Sequence, residues 1–347
     1  VGTPSGINGE ADLQYVKSAI KSIAKEINHS VTIINKSTVP VGTGDMITEL
    51  MNKYLNSPID FSVVSNPEFL REGTAISDFM NPDRVVLGSI NKEASDMVAS
   101  LYAPLNCKII STDLRTAEMI KYASNSFLAT RISFINEIAN ICEELGANVQ
   151  EVALGMGSDK RIGYAFLNAG IGWGGSCFPK DVKALEHMAV IHGTYPQLLQ
   201  AVIEINRNQR HRAILRLRKK LLSFEDKTIG VLGLSFKPNT DDTRDSPSLD
   251  IIRLLLNEGA IIKAYDPQAT IFDKELLKNI YLCKNAYDVA KNADALILAT
   301  EWNEFKQLDF EKIKDIMNCP FILDGRNIWD SEKLKQLGFT YLGIGKN

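Results

Sequence analysis

The chain has 347 residues, 45% of them hydrophobic and 23% charged, which is a globular composition in a chain too long for one ordinary core. Its 39 Lys and Arg against 42 Asp and Glu leave a formal charge of −3, which argues against a general nucleic-acid binder. No apolar run of about 18 residues is available to span a membrane, and no charged-then-apolar leader opens the sequence.

Taken in chain order, Leu13, Val16, Ile20, Ile23 and Ile27 recur three and four apart, which predicts an amphipathic helix over 12–27. A β-branched strand follows at Val31–Ile34, then strands at Phe61–Ser65 and Arg84–Leu87, a helix near 93–103 and a strand near 108–111. Alternation of this kind reads as an α/β layer with parallel pairing, whose ligands bind in loops at the carboxyl ends of the strands. Gly2-Thr3-Pro4, Ser37-Thr38 and Asn66-Pro67-Glu68 are the polar motifs expected there.

From about 114 to 222 the strand signals stop. Two long helical stretches, 116–145 and 197–222, frame a glycine-rich loop at 170–176. The basic stretch from Arg210 through Arg212, Arg216, Arg218, Lys219 and Lys220 reads as a solvated face near a helix C-terminus. A second α/β segment opens at Thr228–Leu234, with a helix at 247–258, a strand ending at Tyr265, and strands at Leu296–Leu298 and Phe321–Leu323. The order is α/β, helical, α/β. A dinucleotide fold normally opens with a strand and a G-x-G-x-x-G turn, and nothing before Thr3 supplies one. The expectation is that the complete gene product carries that half upstream.

Cys107, Cys142, Cys177, Cys283 and Cys319 are scattered without a C-x-x-C pair, and the four histidines lack ligand spacing. Neither a disulfide framework nor a metal site is expected, and a reducing cytoplasm is the simplest setting. Among the cysteines, Cys177 differs. It lies in Gly174-Gly175-Ser176-Cys177-Phe178-Pro179-Lys180-Asp181, where two glycines allow close approach and a nearby cation could favour a nucleophilic thiolate.

Lys121 and Asn125 sit four apart, hence on one helical face, where an ammonium and an amide could stabilise an oxyanion. Glu68 and Glu72 are four apart after a strand and could serve as a base and a ligand acceptor. Before the helix at 247, Asp245 or Ser246 is expected to cap and Pro247 to fill the first turn.

Several motifs occur together and in order. They are Lys36-Ser37-Thr38-Val39-Pro40, the 66–73 block, Asn81-Pro82-Asp83-Arg84, Gly174–Asp181, Phe236-Lys237 with Asp242-Thr243-Arg244, and Asp324-Gly325-Arg326. Together they resemble the UDP-glucose/GDP-mannose dehydrogenases across essentially the whole chain. Asp159-Lys160-Arg161-Ile162-Gly163 and Ser176 before the cysteine look most like the members acting on UDP-glucose. Relatives acting on N-acetylated amino sugars usually carry a histidine there.

The resemblance implies an α/β fold: two Rossmann-like parallel-sheet domains joined by a central helical domain with a long helix. Residues 1–113 would be the remainder of an NAD-binding domain, 114–224 the central domain, and 225–347 a UDP-binding domain. It implies oxidation of the sugar's primary alcohol to a carboxylate by two NAD, through a Cys177 thiohemiacetal and thioester. Lys121 and Asn125 would hold the oxygen, Asp181 with Thr38 would manage water or a proton, and Glu68 would be the base for hydrolysis. Thr3, Thr38, Glu72, Lys180 and Arg244 would contact NAD. Glu68, Phe69, Leu70, Arg71, Glu72, Lys121, Asn125, Phe166, Leu167, Asn168, Ala169, Gly170, Gly174, Phe236, Lys237 and Arg326 would contact the nucleotide sugar.

The family also implies a homodimer around the central helices, with Arg161 reaching the partner's active site and no nucleic-acid or membrane partner. The competing expectations are GDP-mannose as substrate, or a non-catalytic nucleotide-sugar-binding protein.

Overall fold

The computed structural model describes residues 1–6, 8–269 and 273–346. The chain divides into two compact units, Val1–Phe127 with Lys180–Pro196 and Leu128–Pro179 with Gln197–Asn347.

The first unit contains α1 (Gln14–Glu26), β1 (Val31–Asn35), α2 (Thr43–Tyr54), β2 (Phe61–Ser65), α3 (Ala75–Met80), β3 (Arg84–Gly88), α4 (Lys92–Leu101) and β4 (Lys108–Thr112). To these it adds the start of α5 (Leu114–Leu145) and, from Lys180, most of α7 (Phe178–Ile191). Val16, Ile20 and Ala24 on α1 and Ile47 and Met51 on α2 recur at four-residue spacing and pack with Ile33 and Val63 of the strands. Those stripes are what lay the two helices on the sheet.

The sheet order is β1-β2-β3-β4. The β1–β2 and β3–β4 pairings are parallel, but β2 and β3 pair antiparallel through Ser65 opposite Gly88. The uniformly parallel pairing expected from the alternation therefore fails at this one seam. Side chains complete it instead: Asn66 Nδ2 donates to the Val86 carbonyl at 3.0 Å, and Ser89 Oγ to that of Val63 at 2.8 Å. Asn66, which reads as loop polarity in the sequence, is a buried brace.

The second unit holds the rest of α5, then α6 (Val149–Gly157) and α8 (Gln197–Leu221). Its α/β part runs β5 (Thr228–Leu232), α9 (Pro247–Asn257), β6 (Ile261–Tyr265), α10 (Lys274–Lys278), β7 (Ile280–Leu282), α11 (Ala286–Ala290) and β8 (Ala295–Leu298). It closes with α12 (Phe310–Ile316), β9 (Phe321–Asp324), α13 (Ser331–Gln336) and β10 (Thr340–Gly343). All pairings in its sheet are parallel, in the order β10-β9-β8-β5-β6-β7. This is the doubly wound order of a Rossmann fold, with the switch point between β5 and β8. Strands β5, β8 and β9 bury every residue from Ile229 to Leu232, Ala295 to Leu298 and Phe321 to Asp324, as strands covered on both faces must.

Two local expectations are corrected. The basic stretch of α8 is a solvated face only in part, at its C-terminal turn and at His211. Arg216 pairs with Glu143 at 2.7 Å and Arg212 with the same carboxylate at 3.3 Å, while Arg210 pairs with Asp250 and Arg218 with Glu258. Only His211, Lys219 and Lys220 among its polar members are fully exposed, because every third or fourth position of α8 faces neighbouring elements. At α9, Pro247 takes the first turn as expected, but Ser246 makes no side-chain capping bond and its buried Oγ has no partner; Asp245 instead adopts a left-handed φ of 48°.

Glu143 also accepts from the Gly345 N–H at 2.8 Å, and burial lowers the Arg216 pKa despite the pairing. Glu143→Ala leaves that buried guanidinium with the Gly343 carbonyl but no counter-ion, a loss expected to cost about 3–5 kcal/mol by urea unfolding. A cost under about 1 kcal/mol would show the pair to be dispensable.

Candidate functional site

The predicted site residues fall into two sets, one in each unit. In the first unit they converge on α5. Lys121 and Asn125 are both buried, 3% and 7% exposed. Asn125 Nδ2 donates to Asp181 Oδ2 at 2.6 Å, and Lys180 Nζ donates to Asp181 Oδ1 at 2.5 Å, so both oxygens of a fully buried carboxylate are engaged. Asp181 lies in the first turn of α7, an element not foreseen from the sequence, where the helix's N-terminal N–H groups favour a negative charge.

Lys121 Nζ stands 3.8 Å from Glu68 Oε1 and 5.1 Å from the centre of the Phe69 ring, whose other contact is the Arg84 guanidinium at 3.9 Å. Glu68 turns back to accept from the Leu70 N–H. Lys121 with Glu68, and Asn125 and Lys180 with Asp181, thus form two polar groupings, and the burial of Lys121, Asn125 and Asp181 is what makes such groups effective on developing charge. Tyr122, next to Lys121, is fully buried, and its phenol is pushed well above the usual range by burial and then by Asp181 and Glu118. It stays neutral and cannot act as a base.

Thr38 follows β1 at the carboxyl end of the strand, as expected, and its carbonyl accepts from buried Thr3 Oγ1 at 2.8 Å. Glu72 is half-buried beyond Glu68. Arg71 is exposed and forks onto Asp78 at 2.6 and 3.0 Å, which holds the Asp78 carboxyl far below its usual range.

One residue here escaped the sequence reading. Glu118, three positions before Lys121, is 2% exposed and accepts from the Gly42 and Gly44 N–H groups at 2.7 Å each. It therefore fastens the loop after Thr38 to the helix of Lys121. Gly42 needs its φ of 95°, and a Cβ at Gly44 would press into Leu114. Only a Glu on a helix followed by K-x-x-x-N hinted at this.

In the second unit, Cys177 is half-buried, its sulfur 3.6 Å from Ser176 Oγ. The two glycines before it do admit close approach, but of the chain itself. A Cβ at Gly174 would collide with the Asp245 carbonyl, and Gly175, at φ 90°, would meet the Phe236 ring at 2.7 Å. The Gly175 N–H donates to the Arg244 carbonyl at 2.9 Å. Gly174, Phe236 and the Arg244 backbone are thereby brought together with the cysteine loop. The Arg244 side chain is exposed and chelates Asp242, Lys237 Nζ lies 5.5 Å from the Phe236 ring centre, and exposed Arg161 chelates Asp159.

Leu167, Asn168, Ala169 and Arg326 line a cavity of about 230 Å³ together with Gln150 and Tyr164; Phe166 lies beside it at a left-handed φ of 63°. Arg326 follows β9, and its guanidinium donates to the carbonyls of Ala299 at 2.7 Å and Gly172 at 3.2 Å. Gly170 packs so close that a Cβ would reach the Gly325 carbonyl. Phe236-Lys237, Ala299 and Arg326 follow the carboxyl ends of β5, β8 and β9, where a doubly wound sheet takes its ligand.

Asp266 ends β6, where a dinucleotide fold carries its ribose-binding carboxylate. Burial works against its ionisation, yet N–H groups of Leu234, Ser235, Gln268 and Ala269 hold it below the usual carboxylate range. Asp266 Oδ2 accepts from Leu234 at 2.7 Å, Ser235 at 3.0 Å and Trp302 Nε1 at 3.0 Å, bracing the loop that carries Phe236.

Comparison with known proteins divides the chain into three consecutive domains. Residues 1–106, 115–208 and 230–331 match, in turn, the NAD binding domain, the central domain and the UDP binding domain of one family. The chain belongs to the UDP-glucose/GDP-mannose dehydrogenase family. It is 48% identical to the UDP-glucose 6-dehydrogenase TuaD of Bacillus subtilis over 347 residues, covering 100% of this chain and 75% of that protein. It is 45% identical to the UDP-glucose 6-dehydrogenase of Rhizobium meliloti, covering 100% and 80%. Among solved structures it is similar to a UDP-glucose dehydrogenase of Pyrobaculum islandicum, at 34% identity and a TM-score of 0.92, covering 100% and 79%. The two α/β regions, parallel but for the β2–β3 seam, and the long helix agree with the expected fold.

Burial raises the Glu118 carboxyl from 4.5 to about 7, against the two backbone donors that favour its charge. Its contribution to stability is thus complete below pH 4.5 and is lost as pH rises through about 7. Urea midpoints of the wild type should fall over that window by the equivalent of up to about 3 kcal/mol more than those of Glu118→Gln. Parallel profiles would remove the assignment.

Proposed function

We propose that the chain oxidises UDP-glucose to UDP-glucuronate with two NAD, and that Cys177 carries the intermediate as a thioester. The observation that carries this reading is the buried group Lys121–Asn125–Asp181, in a chain that also holds Cys177 in its glycine-rich loop. Residues 1–113 serve the cofactor, 114–224 form the central domain and 225–347 bind the nucleotide.

The residues present fit a dinucleotide: Thr38 and Thr3 meet at the carboxyl end of β1, with Glu72, Lys180 and Arg244 as further contacts. NAD, once bound, supplies the hydride acceptor for both oxidations. The chain's own groups do the rest. Asp181 and Thr38 orient the water that takes the alcohol proton, and Lys121 and Asn125 hold the oxygen as charge develops on it. The Cys177 thiolate adds to the aldehyde carbon, giving a thiohemiacetal. Loss of a second hydride leaves the thioester, and a water deprotonated by Glu68 attacks it. The C–S bond breaks, freeing the carboxylate and returning the thiolate. Covalent attachment keeps the aldehyde from escaping between the two steps.

Substrate recognition falls to Glu68 through Glu72, to Phe166 through Gly170 with Gly174, and to Phe236, Lys237 and Arg326. The cavity beside Asn168 and Arg326 offers an amide lining to the nucleoside end. The chain works as a homodimer, with Arg161 directed to the partner's site. Phe134, Ile141 and Leu145 recur at seven and four along α5 and are 43%, 47% and 78% exposed, an apolar stripe that a second copy would cover.

Two NADH per UDP-glucose are expected from the full-length protein, with complete turnover lost in Cys177→Ser. One NADH or none would overturn the thioester route or the substrate, and GDP-mannose would be tried next. Sedimentation should show a dimer at micromolar concentration and mostly monomer for the double variant Phe134→Glu, Ile141→Glu. A monomeric wild type would end the dimer proposal.

A further inference from the structure

Within the second unit the backbone of residues 170–173 belongs to no helix or strand, yet it is buried. Buried main-chain groups need partners. The sequence supplies them from α5 and α8. The Gly170 N–H donates to Asn136 Oδ1 at 2.8 Å, and the Gly170 carbonyl accepts from Gln209 Nε2 at 2.9 Å. The Trp173 N–H donates to Asn206 Oδ1 at 2.8 Å, and its carbonyl accepts from Asn206 Nδ2 at 3.0 Å and Arg210 at 2.9 Å. The Trp173 indole donates to Ser133 Oγ at 3.0 Å, and that hydroxyl donates on to the Val202 carbonyl at 2.9 Å. Asn140 Nδ2 donates to Gln209 Oε1 at 3.1 Å. Ser133, Asn136, Gln209 and Asn206 are 0%, 0%, 2% and 5% exposed.

Apolar packing could press this loop against the two helices, but it would not fix where along the loop each residue sits. Paired amides do: Asn206 takes both the N–H and the carbonyl of Trp173, while Asn136 takes the N–H and Gln209 the carbonyl of Gly170. The two gripped residues face different tasks. Gly170 adjoins Asn168 and Ala169 of the cavity and packs on Gly325 and Arg326. Trp173 lies four positions before Cys177, and its ring meets that of Phe178, just after the cysteine, edge-on at 6.3 Å.

We infer that Asn136 and Gln209 position the nucleotide-binding end of the loop, while Asn206 and Ser133 position the stretch that presents Cys177. These are positioning residues, not catalytic ones, and the inference rests on the reading of Cys177 and of residues 166–170 given above. It predicts that affinity and thiol reactivity separate.

The test uses the full-length protein as wild type, Gln209→Met, Asn206→Leu and Ser133→Ala. UDP binding is measured by calorimetry, and Cys177 alkylation by iodoacetamide is measured with Cys177→Ser as the blank for the other cysteines. Gln209→Met should weaken UDP roughly tenfold and leave the alkylation rate within about twofold. Asn206→Leu and Ser133→Ala should change the alkylation rate at least about threefold and leave UDP affinity within about twofold. Thermal unfolding is followed for each variant. Ser133→Ala, which removes one oxygen, decides the cysteine end if Asn206→Leu does not fold. Both readouts moving together in step with lost stability, or neither moving, would overturn the inference. A wild type that binds no UDP, or labelling unchanged in Cys177→Ser, would overturn the functional reading itself and the inference with it.

Discussion

Helix α5 buries polar groups along one face, and most of what is distinctive in both units follows from having to satisfy them. Glu118, Lys121 and Asn125 are spaced three and four apart; Ser133, Asn136, Asn140 and Glu143 are spaced three, four and three. A buried charge or amide without a partner costs more than a typical hydrogen bond returns, so each of these positions demands a specific counterpart. The counterparts are backbone N–H groups at 42 and 44, the carboxylates of Glu68 and Asp181, the loop at 170–173, and the arginines of α8. None of these pairings is local in sequence. Each one adds a directional hold on a segment distant in sequence.

That arrangement explains which parts of the molecule could be read beforehand. The apolar periodicities of α1, α5, α8 and α9 and the β-branched runs at 31–35, 61–65 and 84–88 are strong because a covered face repeats along a short stretch of chain. Helix α7 was hidden because Gly174 through Asp181 reads as a loop motif, although Phe178 and Pro179 are already its first turn. The single antiparallel contact of β2 with β3 was hidden because it depends on Asn66 and Ser89, whose bonds join residues 20 and 26 positions apart. Short helices such as α10 and α13 begin at Asp273 and Asp330, whose carboxylates cap them. Those caps are visible only once the neighbouring strands are placed.

The site shows the same asymmetry. Cys177, Lys121, Asn125 and Asp181 stand out as candidates because the motifs that carry them occur together, and the structure buries Lys121, Asn125 and Asp181. Glu118, Asn206 and Gln209 are as deeply buried but look ordinary, since Glu, Asn and Gln on helices usually face water. Arg71, Arg161 and Arg244 illustrate the reverse: each has the charge expected of a ligand contact, and each spends it on an aspartate close in sequence. Any anion those arginines hold must compete with that neighbour, so their contribution to binding is smaller than a count of positive charges suggests.

The second unit carries this logic furthest. Its strand order is that of a dinucleotide fold, yet the two features that define dinucleotide binding have been reassigned. Gly230 and Gly233 stand three apart rather than in a G-x-G-x-x-G turn, and Gly233, at φ 93°, turns the chain after β5 so tightly that a Cβ would strike Thr300. Asp266, in the place of the ribose carboxylate, has one oxygen filled by Leu234, Ser235 and Trp302 and the other by Gln268 and Ala269. With both oxygens taken it cannot select a ribose hydroxyl. In the proposed function, recognition accordingly falls not to the β5–β6 side, which reads nucleotides in an ordinary Rossmann fold, but to the loops after β5 and β9 and to the pinned segment at 168–173. The fold supplies the position at the ends of the strands, and the buried amides of α5 and α8 supply the precision.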